Sequence, residues 1–189
     1  QLVREHLKCD IKDLYCIHFS PCCKSYSSAD AGRSGYRLAD GTPNPSPRRS
    51  DGSINHERVA YARLWDAIIA QVLDTITRAV SVNPQLLISV ENPTAMFRLH
   101  PSVQHLLSQP GWRLLEVDYC IVAEAKWDGD RVFTKKPSDF LTHGLPTDFQ
   151  LPKCDSNCRF RFPDSSGKSQ FHLRSIRIDA KSPHGQIKQ

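Results

Sequence analysis

Two short apolar runs, Leu14 to Phe19 and Leu86 to Val90, flank the one segment of this chain with sustained helical periodicity. In that segment Tyr61, Leu64, Trp65, Ile68, Val72, Ile76 and Val80 recur at three- and four-residue intervals, the repeat of an amphipathic helix. Ser53 or Asn55 is placed to cap the helix, and Asn83-Pro84 to end it. The first run lacks clean alternation of apolar and polar residues, as expected of a strand covered on both faces. Further on, a short helix is expected over Ser102 to Ser108, a turn at Pro110-Gly111 and a strand from Trp112 to Val122. Arg131 to Thr134 reads as a hairpin partner across Trp127-Asp128-Gly129-Asp130. Strand, long helix, strand, short helix, strand is the rhythm of an α/β fold with an open sheet.

Ligands of such sheets sit beyond the carboxyl ends of the strands. There the chain carries Ser20-Pro21-Cys22-Cys23-Lys24-Ser25-Tyr26-Ser27 after the first run and Val90-Glu91-Asn92-Pro93 at the end of the second. A thiolate beside a carboxyl group can attack an electron-poor ring and handle its protons. Directly after the cysteines, residues 29–56 are rich in Gly, Pro, Ser, Asp and Arg, including Pro43-Asn44-Pro45-Ser46-Pro47. A long segment of that kind inside a domain reads as a lid or binding loop.

With 189 residues the chain suits one domain, here 1–150, and a small basic tail, 151–189. No apolar run approaches membrane-spanning length, and the first residues lack the profile of a signal peptide. Gln1 and the mid-domain character of Leu2 to Leu7 point to a piece of a longer protein. Seven cysteines without a secretion signal place the expected location inside the cell, with thiols free or bound to metal. The net charge is +5, and from Lys153 onward eight basic residues face three aspartates, a surplus as large as that of the whole chain. Such a tail suits nucleic acid, with Phe160, Phe162 and Phe171 available for stacking, although it can equally be a solvated face. Cys154 and Cys158, with His172 or His184, have spacing compatible with zinc, but free thiols are the simpler reading and no metal is assigned.

The rim segments carry a resemblance. Ser20-Pro21-Cys22-Cys23-Lys24-Ser25-Tyr26-Ser27 resembles the S-P-x-C-x-x-[FY]-S nucleophile loop of the DNA cytosine-5 methyltransferases, and Val90-Glu91-Asn92-Pro93 is similar to their glutamate–asparagine motif. Cys9-Asp10-Ile11 resembles the aspartate turn that approaches the adenine end of S-adenosylmethionine. Asp118-Tyr119-Cys120 and Lys135-Lys136-Pro137-Ser138-Asp139-Phe140-Leu141-Thr142 are similar to a divergent branch found in phages and mobile elements. The resemblance spans about Lys8 to Thr142, with the motifs in family order.

The resemblance implies a Rossmann-like methyltransferase sheet, incomplete at the N-terminus, acting on DNA with S-adenosylmethionine as cofactor. Most of the cofactor site would then lie upstream of Gln1, because the family's glycine-rich turn and ribose-binding acid precede the segment matched. Cys23, three residues before Tyr26 and four before Ser27, corresponds to the nucleophile, and Cys22 is offset by one. Glu91 would hold the cytosine ring, and Asn92 the loop. Ser27 and Arg131 are implied as substrate contacts, Asp10 and Pro21 as cofactor contacts. Read on their own residues, Asp10 is a turn or cap residue and His18 a satisfied core histidine. Two rival functions stay open: an inactive DNA-binding relic, and a cysteine hydrolase with a histidine base at Cys23.

Overall fold

Two asparagines set the ends of the long helix. Helix α1 covers His56–Val82, and the Asn55 side chain caps it by accepting the Arg58 amide at 3.2 Å. At the other end the Asn83 amide bonds Ala79. The Asn83 Nδ2 donates to Ile11 O at 3.2 Å and Leu14 O at 2.9 Å, fastening the helix end to the approach of strand β1, Cys16–Phe19. Strand β2, Leu87–Pro93, follows and lies parallel to β1, with Cys16 opposite Leu87 and Phe19 opposite Val90. A parallel pair needs a crossover, and α1 supplies it.

The computed structural model describes residues 9–26, 35–118 and 137–154, and the backbone of short strands at 125–127, 130–132, 161–163, 170–172, 177–178 and 187–188. After β2 come helix α2 (Pro101–Leu107), strand β3 (Trp112–Asp118), the hairpin strands β4 (Ala125–Trp127) and β5 (Asp130–Val132), and strand β6 (Pro137–His143). Four strands form one mixed sheet in the order β1-β2-β6-β3, so the protein is a mixed α/β fold. Strands β7 (Arg161–Pro163) and β8 (Gln170–His172) pair antiparallel, with Phe162 opposite Phe171. Strands β9 (Arg177–Ile178) and β10 (Ile187–Lys188) pair likewise.

The chain divides into two compact units: Gln1–Leu115 with Asp139–Phe149, and Glu116–Ser138 with Gln150–Gln189. In the first, Ile69, Leu73 and Ile76 of α1 meet Ile88 and Val90 of β2, Val103 and Leu106 of α2, and Phe97, Trp112 and Leu141. Each fully buried side chain of this size contributes roughly 1.5–3 kcal/mol. In the second, the Cys154 amide donates to the buried Asp118 at 2.9 Å. No helix among the described residues is long and apolar enough to cross a membrane.

Several expectations change. Strand β1 is not covered on both faces: Cys16 and His18 are exposed, and Ile17 and Phe19 half-buried, because β1 stands at one end of the sheet order. His18 is therefore no core histidine; its Nδ1 lies 3.2 Å from the Ser89 hydroxyl at the surface. The buried stripe of α1 is Ala62, Ile69, Leu73, Ile76 and Ala79, while Trp65, Val72 and Val80 flank it half-buried and Leu64 is 56% exposed. Two alanines let the helix approach closely and turn that stripe inward. The strand expected at 112–122 ends at Asp118 among the described residues, and Arg131 pairs with Lys126 of β4. Strand β6 was not anticipated.

Nor are residues 35–55 structureless. Antiparallel bridges Arg37–Pro43 and Arg48–Ile54 close two tight turns. Asp40 accepts the Thr42 amide at 2.9 Å and hydroxyl at 2.6 Å, and Asp51 accepts those of Ser53 at 2.9 and 2.7 Å. These bonds hold both carboxyls below the usual aspartate range. Gly41 and Gly52 serve the two turns with φ of +85° and +84°. A Cβ on Gly41 would stand 2.7 Å from the Leu99 Cβ, whereas one on Gly52 would meet nothing within 4 Å. Gly52→Ala should therefore cost only backbone strain, roughly 1–3 kcal/mol, and Gly41→Ala measurably more. Urea denaturation of the two variants checks this, and equal losses would refute the Leu99 contact.

Candidate active site

Because β1 and β2 run parallel and in register, the chain leaves both at the same rim. The Ser20 hydroxyl, one residue past β1, donates to Glu91 Oε2 on β2 at 2.9 Å. Beside it the Asn92 Nδ2 donates to the Pro21 carbonyl at 3.4 Å. Glu91 is 7% exposed, and Asn92 and Pro21 are buried. The Asn92 Oδ1 is buried without a hydrogen-bond partner among the described residues. Two side chains of β2 thus clasp the first two residues of the cysteine segment.

The next residues turn. The Tyr26 amide bonds Cys23 O at 3.0 Å, and the Met96 amide, just beyond β2, bonds Tyr26 O at 3.2 Å. Cys23 is exposed on this turn. Cys22 is half-buried, with its Sγ 2.9 Å from the Tyr61 hydroxyl on α1. That hydrogen bond, with burial second, pushes Tyr61 up to about 12. The adjacent thiols therefore have different settings: Cys22 is engaged by the helix, and Cys23 faces outward.

Beneath the turn lies a polar cluster that sequence reading missed. Arg37 is 2% exposed and donates to Ser25 O at 2.8 Å, Gly41 O at 3.0 Å, Ala62 O at 3.4 Å and Asp66 Oδ1 at 2.6 Å. The Tyr26 hydroxyl donates to the same Asp66 oxygen at 2.7 Å, and the Arg37 guanidinium stacks 3.9 Å from the Tyr26 ring. Burial, helped by the bond to Asp66, raises Tyr26 well above the ordinary tyrosine value, and Arg37 opposes this. His100 accepts the Ser102 amide at Nδ1 (3.2 Å), capping α2, and sets Nε2 3.7 Å from Asp66. Burial lowers its pKa from 6.5, while Asp66 acts the other way.

The sequence did hold one signal of this cluster: Asp66 falls on the helical face that carries Ala62, Ile69 and Leu73. A carboxylate in a buried stripe calls for a cation or donors. Arg37, in a loop of polar composition, offers no comparable signal. A second anchor holds the chain after β2: Asp139, fully buried on β6, accepts from Arg98 Nε at 2.9 Å and Nη2 at 2.5 Å and from the Thr94 hydroxyl at 3.0 Å.

The structure brings Cys23, Glu91, Asn92 and Pro21 together at one rim. It sets Asp10 elsewhere. Asp10 caps the 3-10 turn Ile11–Asp13, accepting from the Lys12 amide, while Asp13 accepts the Asp10 amide at 3.2 Å. This turn is fastened to Asn83 at the far end of α1, whereas Cys22 meets Tyr61 near its start. About six helical turns separate the two ends. Ser27 lies outside the described residues, and Arg131 is placed by backbone alone on β5. Of the zinc candidates, Cys154 is described with its side chain and His172 by backbone alone on β8, and among the described residues no group of three metal-ligating side chains gathers. No family model, curated protein or solved structure matches the chain.

Two outcomes test the cluster. Arg37→Ala leaves Asp66 and three carbonyls without their donor and should cost on the order of 3 kcal/mol in urea denaturation. Tyr26→Phe, which leaves Asp66 bound to Arg37, should cost about 1 kcal/mol. For His100, a folded pKa below the unfolded one contributes stability that is present above about 6.5 and lost as pH falls through the folded value. The wild type should weaken from pH 7 to 5, and His100→Gln should flatten that slope in denaturation series across the same range.

Proposed function

We propose that the chain is the base-attacking part of a DNA cytosine-5 methyltransferase, built on a Rossmann-like sheet. The observation that carries this reading is the parallel register of β1 and β2, which delivers the Cys23 turn and the buried Glu91 to one rim and links them through Ser20. In this reading the target cytosine leaves the duplex to reach the rim. The Cys23 thiolate adds to carbon 6, and the ring electron pair moves to carbon 5 as an enamine. Glu91 holds the ring nitrogen and exocyclic amine and favours the protonated ring during attack, oriented by the Ser20 hydroxyl. Asn92 keeps the Pro21 carbonyl, and so the start of the turn, in place. Residues 29–56 serve as the lid, with the base of its described part fixed by Arg37.

The methyl donor implied by the resemblance is S-adenosylmethionine, and the two residues assigned to it do not fit it here. The Asp10 carboxylate is occupied in a cap before the N-terminal end of β1, away from the Cys23 rim, and Pro21 is buried with its carbonyl bonded by Asn92.

A histidine-based hydrolase receives no support, since no hydrogen bond joins a histidine to Cys23 among the described residues. His100 is turned to Ser102 and Asp66, and His18 to Ser89.

A test without a methyl donor follows from the chemistry. An enamine formed on addition picks up a deuteron at carbon 5 from heavy water; loss of the original proton and expulsion of Cys23 return cytosine labelled at that carbon. Mass spectrometry of cytosine-containing DNA incubated with the chain should show this exchange. Cys23→Ser should abolish it, Cys22→Ser should retain it, and Glu91→Gln should slow it about 10²-fold or more. DNA binding with no exchange by the wild type would instead identify an inactive relic.

A further inference from the structure

The atom with which His100 caps α2 is also the atom at which its ring takes up a second proton. The Ser102 amide donates to Nδ1 at 3.2 Å, so the neutral imidazole carries its hydrogen on Nε2. That Nε2 stands 3.7 Å from Asp66 Oδ1, too far for a hydrogen bond. A second proton can enter only at Nδ1, and there it turns the capping acceptor into a donor. The Ser102 amide then loses its partner, and a positive charge stands at the start of a helix, where it is disfavoured.

The surroundings offer the charged ring another place. His100 is 6% exposed and faces Asp66 from α1, Arg37 from the loop and Tyr26 from the cysteine turn, with the Tyr26 ring centroid 6.3 Å away. In its own stretch of chain Arg98 is engaged by Asp139, and His105 lies 2.9 Å from Gln109. Burial holds the ring's pKa below the ordinary 6.5; Asp66 opposes this and Arg37 adds to it. Asp66 Oδ1 already accepts from Arg37 at 2.6 Å and from the Tyr26 hydroxyl at 2.7 Å, which fills the two lone pairs of that oxygen. A charged imidazole drawn to it has to displace one of them, and the neutral hydroxyl is held less strongly than the guanidinium. Tyr26 is also the residue whose amide closes the turn on Cys23 O at 3.0 Å.

We propose that His100 is a proton-operated latch on the Cys23 turn. Neutral, it caps α2 and leaves Asp66 to Arg37 and Tyr26. Protonated, it gives up the Ser102 amide, moves to Asp66 and releases the Tyr26 hydroxyl, and the turn loses its inner anchor. The exposed thiol is then presented on a closed turn near neutral pH and on an open one in acid. The device acts on the turn whatever the thiol attacks, so it stands apart from the reading of Cys23 as a base-attacking group.

Hydrogen exchange of single amides in the whole chain, followed by NMR and expressed as protection relative to the unfolded chain, separates the steps. Between about pH 7.5 and about pH 5, protection of the Ser102 and Tyr26 amides should fall together, each by about fivefold or more, the scale of a lost cap. The Asn83 amide, bonded to Ala79 at the far end of α1, should keep its protection. His100→Asn, which supplies a cap that does not titrate, should hold both amides level across the range. Tyr26→Phe should leave the Ser102 response in place and abolish the response at position 26, where no hydroxyl is left to release. A fall at Ser102 without one at Tyr26, no response at either amide, an equal fall at Asn83, or a fall that persists in His100→Asn would each overturn the latch.

Discussion

A guanidinium buried away from water must have its donors bonded and its charge answered, or the fold around it fails. Arg37 meets that demand by drawing three separate segments onto one planar group: Ser25 from the cysteine turn, Gly41 from its own loop, and Ala62 and Asp66 from α1. Its face also covers Tyr26, whose ring touches Phe97 and His100 edge-on. The two loop segments among them are polar or irregular by themselves. The apolar core packs α1 on β2, but it is Arg37 that ties the loops to that frame. The position of Cys23 depends on it twice, through Ser25 and through the Tyr26–Asp66 bond.

The rim was legible in the sequence to the extent that it depends on order along the chain. Two apolar runs with a helix between them imply a crossover, and the residues just past the runs then share an edge; Cys23 and Glu91 follow from that logic. What was hidden depends on contacts across the chain. The Ser20–Glu91 and Asn92–Pro21 bonds each join residues 71 apart, and no local pattern announces either. The offset of the buried helix stripe had a local sign in Ala62 and Ala79, small residues that read as neutral in a search for large apolar side chains. Asp10 was legible locally: read as a turn or cap residue before Ile11, it makes those capping bonds.

Neighbouring thiols separate chemically by what the rest of the fold does to them. Tyr61 reaches Cys22 from α1, and the turn that closes at Tyr26 lifts Cys23 outward. Glu91, by contrast, is deep in the rim with a hydroxyl on its carboxylate. The rim thus carries an exposed sulfur on one segment and a sheltered acid on the next.

Strand β1 is four residues long, and its recorded partner, β2, is made more than sixty residues later in synthesis. Among the described residues β1 pairs with β2, and that pairing waits until α1 has formed and folded back; non-local parallel pairing is a slow kind of event. During that interval Cys16, Cys22 and Cys23 all lie on nascent chain that has yet to meet β2. Any oxidation of these thiols before β1 and β2 meet would therefore act on the pairing itself, ahead of anything the folded rim does.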